Sequence, residues 1–287
     1  MRTRLRKALK QAFPEEDSVS AYNAFDIIGD IAVTKMPTPS EANAKTVAEA
    51  IMRVHRNVKA VYAQASPVAG NFRLRSLRHV AGDNKTRTVH KENGCLFAVD
   101  VEDCYFSPRL AHERRRIAQL VKPNETIVNM FAGVGCFSII IAKQVTKAKV
   151  YSIDVNPVAV QFMQENIRLN RVYSNVIPLL GDAKTIIENQ LRHCAERILM
   201  PLPEKAFEYL PCAVFALKTS GGWIHYHGFE HAAKTEDPTK KLALKLSENL
   251  ARLNVEFKIP FSRVVRTIGP NWHHVVADMH LEAFGKS

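Results

Sequence analysis

The sequence predicts an α/β protein: a mostly parallel, doubly wound sheet with an antiparallel edge, preceded by a small α+β module. From residue 121 onward, strand-like and helix-like segments alternate, which is typical of a parallel sheet covered by helices. The closing segment 263–281 shows two strand patterns joined at Gly269-Pro270, which indicates an antiparallel pair. Between residues 19 and 120, short segments of period-two alternation surround one helix, as in an α+β module.

The composition narrows the class of protein. The 287 residues are enough for about two domains, and they carry a formal net charge of +12. Such an excess favours a polyanionic partner, although a solvated basic surface has the same composition. No apolar run is long enough to cross a membrane, and no secretory signal follows the basic start, so we expect a cytoplasmic protein. The five scattered cysteines form no CxxC pair, and the histidines at 225, 227, 273 and 274 lack spaced carboxylate or thiolate partners, so we expect no metal.

The amino-terminal part is predicted as an extension and a small module. Residues 1–18 form a basic, amphipathic extension that is either a solvated helix or a contact for phosphates. Segment 25–37 predicts a hairpin around Gly29-Asp30, and a helix follows Pro39-Ser40. Three further segments predict strands of one half-buried sheet: 59–65, 72–82 and 95–107. Arg73 and Arg75 fall in the second and would share a face, which is either an RNA platform or a solvated surface.

The carboxyl-terminal part is predicted as domain 121–287, after a small domain over 19–120. Its parallel strands are expected in five segments: 125–133, 147–154, 175–183, 196–203 and 221–228. Helices are expected after the glycine turn at 133–135 and over 157–172, 204–217 and 237–254. The last of these helices has Asp237 as its cap and Pro238 in its first turn.

The glycine turn after the first of these strands predicts a nucleotide-type ligand. The string Ala132-Gly133-Val134-Gly135 joins a strand to a helix, where glycines allow a close backbone approach and free N–H groups face the ligand. Asp154 ends the next strand, at the spacing where a carboxylate binds a ribose diol. Ser138 replaces the third glycine of a dinucleotide fingerprint, so S-adenosylmethionine fits better than NAD. Asp182 is placed to bind adenine, but Asp154 and Asp182 could also be helix caps.

The sequence also resembles a known family, the archaeal–eukaryotic tRNA (guanine-37 N1)-methyltransferases. The most specific string is HKENGCLFAVDV followed by YFSPRLAHERRRIA. Others are FDIIGDIAV, NMFAGVGCFSI, YSIDVNPVAVQFMQENIRLN, ILMPLPEKAFEYL, GGWIHYH and the closing segment, and together they cover roughly residues 25–280. The resemblance implies a class I methyltransferase domain behind a small α+β domain. FDIIGDIAV comes so early that we expect the compact subgroup, without the family's extra amino-terminal domain.

The resemblance also implies roles for individual residues. Glu113 is the general base for the guanine N1 proton, and Arg73 helps to hold the base and its developing charge. The cofactor-binding residues would be Phe131, Ala132, Gly133, Val134, Gly135, Asp154, Val155, Asp182, Ala183 and Pro201. RNA contacts are expected from Arg75, Tyr105, Phe106, Arg109 and Arg114. A helix with the pattern ExRRR is otherwise a salt-bridged surface, so Arg109 and Arg114–Arg116 are either phosphate contacts or solvated.

Two departures from the family pattern leave alternatives open. Pro201 stands where the family has an asparagine that helps to recognise guanine, and proline brings no side-chain donor or N–H. Asn129 replaces a common acidic residue, for which we expect a modest effect on cofactor binding. The rival functions are a wyosine-pathway enzyme that also methylates the tricyclic base, an aminocarboxypropyl transferase, and a non-catalytic RNA-binding protein. The expected partner is the anticodon stem-loop of tRNA, bound by a monomer.

Overall fold

The computed structural model describes Lys7, Leu9 and residues 25–35, 41–70 and 72–284. The predicted extension over 1–18 therefore lies outside the described residues, apart from Lys7 and Leu9. The chain forms two compact units, residues 1–112 and 113–287. No helix in the described part of the chain is both long and apolar enough to cross a membrane.

The first unit contains a four-stranded sheet with a helix packed on it. The strands follow in the order of the chain: β1 (Phe25–Ile28), β2 (Ile31–Thr34), β3 (Ala60–Gln64) and β4 (Leu77–Gly82). The predicted hairpin is present, since β1 and β2 pair antiparallel, and helix α1 (Glu41–Val54) carries the chain to β3, which is parallel to β2. Residues Ala48, Ile51 and Val61 belong to the core between helix and sheet.

Two sequence-based predictions for this unit were wrong. The segment 72–82 is not one strand, because Arg73 has a left-handed backbone (φ 55°) and Leu74 forms only an isolated bridge with Ala69, so β4 begins at Leu77. Arg73 and Arg75 therefore do not share a strand face. The segment 95–107 does not join the main sheet: β5 (Arg87–Glu92) and β6 (Cys95–Asp100) form a separate antiparallel pair, followed by a 3₁₀ turn, Pro108–Leu110.

The second unit is a seven-stranded sheet with helices, and its elements alternate as predicted. Its strands are β7 (Thr126–Asn129), β8 (Lys149–Asp154), β9 (Val176–Leu180), β10 (Arg197–Met200), β11 (Gly222–His231), β12 (Phe257–Gly269) and β13 (Trp272–Leu281). Its helices are α2 (Ala111–Leu120), which starts at the end of the first unit, α3 (Cys136–Gln144), α4 (Pro157–Asn170), α5 (Ala183–Gln190), α6 (Ala206–Ala216) and α7 (Pro238–Ala251). Helix α5 was not predicted from the sequence.

The sheet order is β12-β13-β11-β10-β7-β8-β9. Strands β7 to β11 pair parallel, and β13 inserts antiparallel between β11 and β12. The order reverses between β7 and β10, and ligands of open α/β sheets bind at such a switch point, beyond the carboxyl ends of the strands. The predicted fold class, with its parallel sheet and antiparallel edge, is therefore confirmed.

Candidate active site and cofactor pocket

The turn that follows β7 lies at this switch point and requires its glycines. Gly133 and Gly135 have left-handed backbones, with φ of 56° and 91°. A Cβ atom on Gly135 would lie 2.9 Å from Cγ of Met163 and 3.0 Å from Cδ1 of Ile139, so the turn packs closely on helix α4. Asn166 of the same helix donates from Nδ2 to the carbonyl of Val134 at 3.0 Å. These contacts fix the backbone conformation of the glycine turn.

Asp154 connects the end of β8 to the glycine turn. Its Oδ2 accepts a hydrogen bond from the amide of Gly133 at 2.6 Å, and its Oδ1 accepts from the amide of Asn156 at 3.0 Å. Burial raises the pKa of Asp154 above its ordinary value, against these amide bonds that lower it. Asp154 is not the cap of α4, because Asn156 has that role and accepts from the amide of Val158 at 3.0 Å.

Asp182 lies at the end of the neighbouring strand and has two structural partners. It caps α5 by accepting from the amides of Lys184 and Thr185, as one alternative foresaw, and its other oxygen accepts from the hydroxyl of Tyr209. Burial raises the pKa of Asp182, but these hydrogen bonds outweigh it and hold the pKa below its ordinary value. Ala183, the first residue of α5, is buried beside it.

Apolar side chains line the same edge of the sheet. Val155 is 43% exposed after β8, and Leu180 is 57% exposed at the end of β9. Phe131 packs edge-to-face on Tyr209, with ring centroids 5.3 Å apart. Pro201 follows β10 and is half-buried. Exposed aliphatic groups beside two carboxylates form a surface on which a flat base can stack while its ribose is hydrogen-bonded.

The residues below the turn fit an adenosyl cofactor with an amino group. Asn129 is fully buried at the end of β7, and its Nδ2 donates to Oγ of Ser138 at 3.1 Å. Its Oδ1 is buried and has no hydrogen-bond partner in the described part of the chain, so it can accept from an ammonium group. No cluster of His, Cys, Asp or Glu in the described ranges could hold a metal ion.

Glu113 occupies a buried ionic cluster in the second unit. Its carboxylate accepts from Nη2 of Arg116 at 2.6 Å and from Nη2 of Arg263 at 2.6 Å. The side chain of Glu113 is only 1% exposed. Burial raises the pKa of Glu113, but the bonds from Arg116 and Arg263 outweigh it, so the pKa lies below its ordinary value. Glu113 is therefore ionised at neutral pH.

A chain of polar contacts continues from this cluster across the sheet. Asp278 accepts from both Nη1 and Nη2 of Arg116, at 2.6 and 2.9 Å, and its Oδ1 lies 2.6 Å from Nδ1 of His225. The Nε2 of His225 faces Nη1 of Arg197 at 2.6 Å. Arginine can only donate, so Nε2 accepts and the proton of a neutral His225 sits on Nδ1. Burial lowers the pKa of His225, in agreement with this neutral form.

Four predicted residues come together in the first unit. The guanidinium carbon of Arg73 lies 4.0 Å from the ring centroid of Tyr105. Arg75 is electrostatically coupled to Arg73, Tyr105 and Arg109, and its burial lowers the pKa of its guanidinium. Arg109 pairs with Asp26 at 2.6 Å. The result is a cationic cluster with an aromatic ring, formed although Arg73 and Arg75 do not share a strand.

The remaining predicted RNA contacts are buried. Phe106 packs edge-to-face on His90, with centroids 5.0 Å apart, and Arg114 lies over Phe137 at 5.9 Å. Because Phe106 and Arg114 are buried, they are better placed to pack inside the protein than to contact RNA as predicted. Arg116 is neither solvated nor open to phosphate, because Glu113 and Asp278 occupy its guanidinium.

Sequence reasoning missed several residues of the two sites: Arg116 as an ion-pair partner, Tyr209, Leu180, Arg263, Asp278, and His225 as a neutral link. Arg116 stands three positions after Glu113, a spacing at which helical ion pairs form, whereas Tyr209, Arg263, Asp278 and His225 stand far from their partners in the chain, so no spacing signal pointed to these four.

The fold defines the class of protein: an α/β domain of the S-adenosylmethionine-dependent methyltransferase type, with a glycine turn and two strand-end carboxylates at its switch point. The chain matches the model of the TRM5/TYW2 methyltransferase domain over residues 88–255 and that of the TYW2 N-terminal domain over residues 5–86. The protein belongs to the TRM5/TYW2 family, which confirms the resemblance of its sequence.

Relatives of this chain carry out more than one reaction. It is 40% identical to tRNA (guanine(37)-N(1))-methyltransferase Trm5b of Pyrococcus abyssi, over 93% of this chain and 78% of the relative. It is 35% identical to tRNA 4-demethylwyosine(37)-methyltransferase Taw21 of Saccharolobus solfataricus, over 92% of this chain and 96% of that relative. The tRNA(Phe) (4-demethylwyosine(37)-C(7)) aminocarboxypropyltransferase of Methanocaldococcus jannaschii is 33% identical, over 89% of this chain and 96% of that relative.

Two solved structures relate the fold to ligands of similar proteins. The structure of aTrm5 in complex with tRNALeu superposes with a TM-score of 0.84 at 31% identity, covering 98% of this chain and 79% of that one. The structure of M. jannaschii TYW2 in complex with AdoMet superposes with a TM-score of 0.65 at 28% identity, covering 91% and 100%.

Proposed function

We propose that the protein transfers a methyl group from S-adenosylmethionine to N1 of the guanine at position 37 of tRNA. The observation that carries the proposal is the ionised, buried carboxylate of Glu113, in the same unit as the cofactor pocket. The similarity to Trm5b supports it.

The chemistry requires a proton acceptor at the target base. Guanine N1 carries a proton at neutral pH, and its lone pair becomes a nucleophile as that proton is removed. Glu113 is ionised and can accept the proton in the transition state. The cofactor supplies an electrophilic methyl group. Phe131–Gly135 and Asp154 would hold it, with Val155, Asp182, Ala183 and Pro201 around its adenine.

The cationic cluster of the first unit supplies groups of the kind that bind RNA. The guanidinium of Arg73 lies over the ring of Tyr105, and Arg75 is electrostatically coupled to Arg73, Tyr105 and Arg109. Bases outside a helical stack are received by aromatic rings and guanidinium planes, and phosphates by arginine. Arg73 is the residue that we assign to the target base, since a cation stabilises the negative charge that develops on guanine as N1 loses its proton.

Methylation of 4-demethylwyosine is the second candidate. Taw21 aligns over nearly its whole length, and the amino-terminal domain matches the TYW2 type. Pro201, which brings no donor to the pocket, is compatible with a base other than guanine. Aminocarboxypropyl transfer is a third reaction found among relatives.

One experiment separates these reactions. The protein is incubated with labelled S-adenosylmethionine and either an unmodified tRNA transcript or tRNA that carries 4-demethylwyosine, and the nucleosides are identified by mass. N1-methylguanosine from the transcript, abolished when position 37 is adenine, supports the proposal. Methylation of 4-demethylwyosine alone supports the second candidate, and the larger mass of an aminocarboxypropyl group supports the third.

A further inference from the structure

Two arginines contact Glu113, and they hold it unequally. Arg116 reaches both carboxylate oxygens, with Nε at 3.1 Å from each and Nη2 at 2.6 Å from Oε1. Arg263 makes one bond, from Nη2 to Oε2. A forked guanidinium fixes the plane of a carboxylate, whereas a single bond lets the carboxylate turn about it. The orientation of Glu113 therefore depends on Arg116.

Arg116 is itself held on its other side. Its Nη1 and Nη2 donate to the two oxygens of Asp278, and its guanidinium carbon lies 4.4 Å from the ring centroid of Phe261. The side chain of Arg116 is 16% exposed and that of Arg263 is 31% exposed. Asp278 is buried on β13, directly opposite His225 on β11, and its Oδ1 accepts a hydrogen bond from Nδ1 of His225. A rigid strand pair thus fixes Asp278.

We propose that Asp278 is a positioning residue for methyl transfer, which acts on Glu113 through Arg116. This inference rests on the proposed role of Glu113 as the base. Asp278 keeps Arg116 in the one place from which it can fix both oxygens of Glu113. The target base then meets a carboxylate in one orientation, and misplacement of a reacting group by about 1 Å can cost on the order of 100-fold in rate.

The charge of Asp278 matters as well as its hydrogen bonds. The groups that face Glu113 are Arg116 on α2, Arg263 on β12 and His227 on β11, with Asp278 on β13 behind Arg116. Asp278 balances the charge of Arg116. Without it, Arg116 would attract the Glu113 carboxylate more strongly, and Glu113 would become a weaker proton acceptor.

The test compares Asp278→Asn with a matched loss of another buried ion pair. Glu230 lies on β11, is 2% exposed and accepts from Lys245 at 2.7 Å, with no described bond to Glu113. Steady-state methylation of the tRNA transcript is measured for the wild type, Asp278→Asn, Asp278→Glu and Glu230→Gln, with the thermal midpoint of each. We expect Asp278→Asn to lower kcat by about 10- to 100-fold with little change in the KM for tRNA, and the acid limb of the pH–rate profile to move to lower pH. Asp278→Glu should recover part of kcat, and Glu230→Gln should lose stability but keep kcat.

Two results would overturn the inference. One is a wild-type kcat and pH profile for Asp278→Asn, and the other is a loss of kcat in Glu230→Gln as large as that in Asp278→Asn. If Asp278→Asn does not fold, Arg116→Lys replaces it, since lysine keeps the charge but not the fork, and unchanged kcat there counts against the inference. Failure of the wild type to methylate guanine 37 is a separate result, which removes the proposed function itself.

Discussion

The carboxylate of Asp154 accepts a hydrogen bond from the backbone amide of Gly133 at 2.6 Å, so the end of β8 is bonded directly to the glycine turn after β7. A charged acceptor on a backbone amide contributes about 1.5–3 kcal/mol. Asp154 thus stabilises the turn, in addition to the ribose contact that we propose for it.

Asp154→Asn should weaken S-adenosylmethionine binding by roughly 10-fold or more, since an amide accepts from the ribose and from Gly133 less strongly than a carboxylate. Calorimetric titration of the cofactor measures the change. Asp237→Asn is the control, because Asp237 also accepts a hydrogen bond from a backbone amide, that of Thr239, but is not among the residues assigned to the cofactor. Equal affinities of wild type and Asp154→Asn would contradict the assignment.

Gly135→Ala should both destabilise the protein and abolish cofactor binding. The new Cβ would lie 2.9 Å from Met163 Cγ, in addition to the strain of φ 91°. Gly94→Ala is the control for backbone strain alone, since Gly94 has φ 77° and no atom within 4 Å of an added Cβ. We expect a loss of about 1 kcal/mol in the free energy of unfolding for Gly94→Ala and clearly more for Gly135→Ala, by urea denaturation. Equal losses would show that the close packing does not matter.

Glu113→Gln tests the assigned base. Glutamine keeps the size of the side chain but cannot accept the proton, so methyl transfer should slow by about 100-fold or more, while calorimetry finds cofactor and tRNA binding close to wild type. Glu125→Gln serves as the control: Glu125 accepts from Nε of Arg197 at 2.7 Å, beyond His225 and Asp278, and has no described bond to Glu113. A single-turnover rate for Glu113→Gln within a few-fold of wild type would require another base.

His227 should make the protein sensitive to acid. Burial lowers the pKa of His227 from 6.5 to about 4, so between these values the unfolded chain takes up a proton that the folded one does not. Stability then falls as pH falls, by about 2 kcal/mol between pH 7 and pH 5 from this group. In His227→Phe, urea unfolding should show a smaller loss over this range. His231→Phe, at an exposed position of the same strand, should keep the wild-type loss. The same pH dependence in both variants would disprove the role of His227.

Arg73→Met should lower the catalytic efficiency with tRNA while leaving cofactor binding intact. Its guanidinium carbon lies 4.0 Å from the centroid of the Tyr105 ring in the first unit, and the residues that we assign to the cofactor lie in the second. We expect kcat/KM for tRNA to fall by about 10-fold or more, with unchanged affinity for S-adenosylmethionine. Arg78→Met, on the neighbouring strand β4, is the charge-matched control. A similar loss in both variants would indicate a general charge effect.

Local features were predictable because they are encoded within a few residues. Asp237 caps α7 through the amide of Thr239 at 2.8 Å, and Gly269-Pro270 joins β12 to β13, both as the sequence indicated. The glycine turn and Asp154 followed from spacing around two strands. The strand over 72–82 was wrong for a local reason too: the left-handed backbone at Arg73 interrupts a pattern that alternates correctly.

The sequence by itself determined the family, the parallel sheet, the glycine turn and the carboxylate at position 113, since each depends on neighbouring residues or on a specific string. Only the tertiary structure decided what surrounds that carboxylate. Arg116 was expected to be solvated or bound to phosphate, but it pairs with Asp278, which stands 162 positions later in the chain. The pairing exists because β13 inserts beside β11 and places Asp278 opposite His225. A buried charge without a partner is costly, so these charges occur paired, and neither sheet order nor burial can be read from the spacing of charges along a helix.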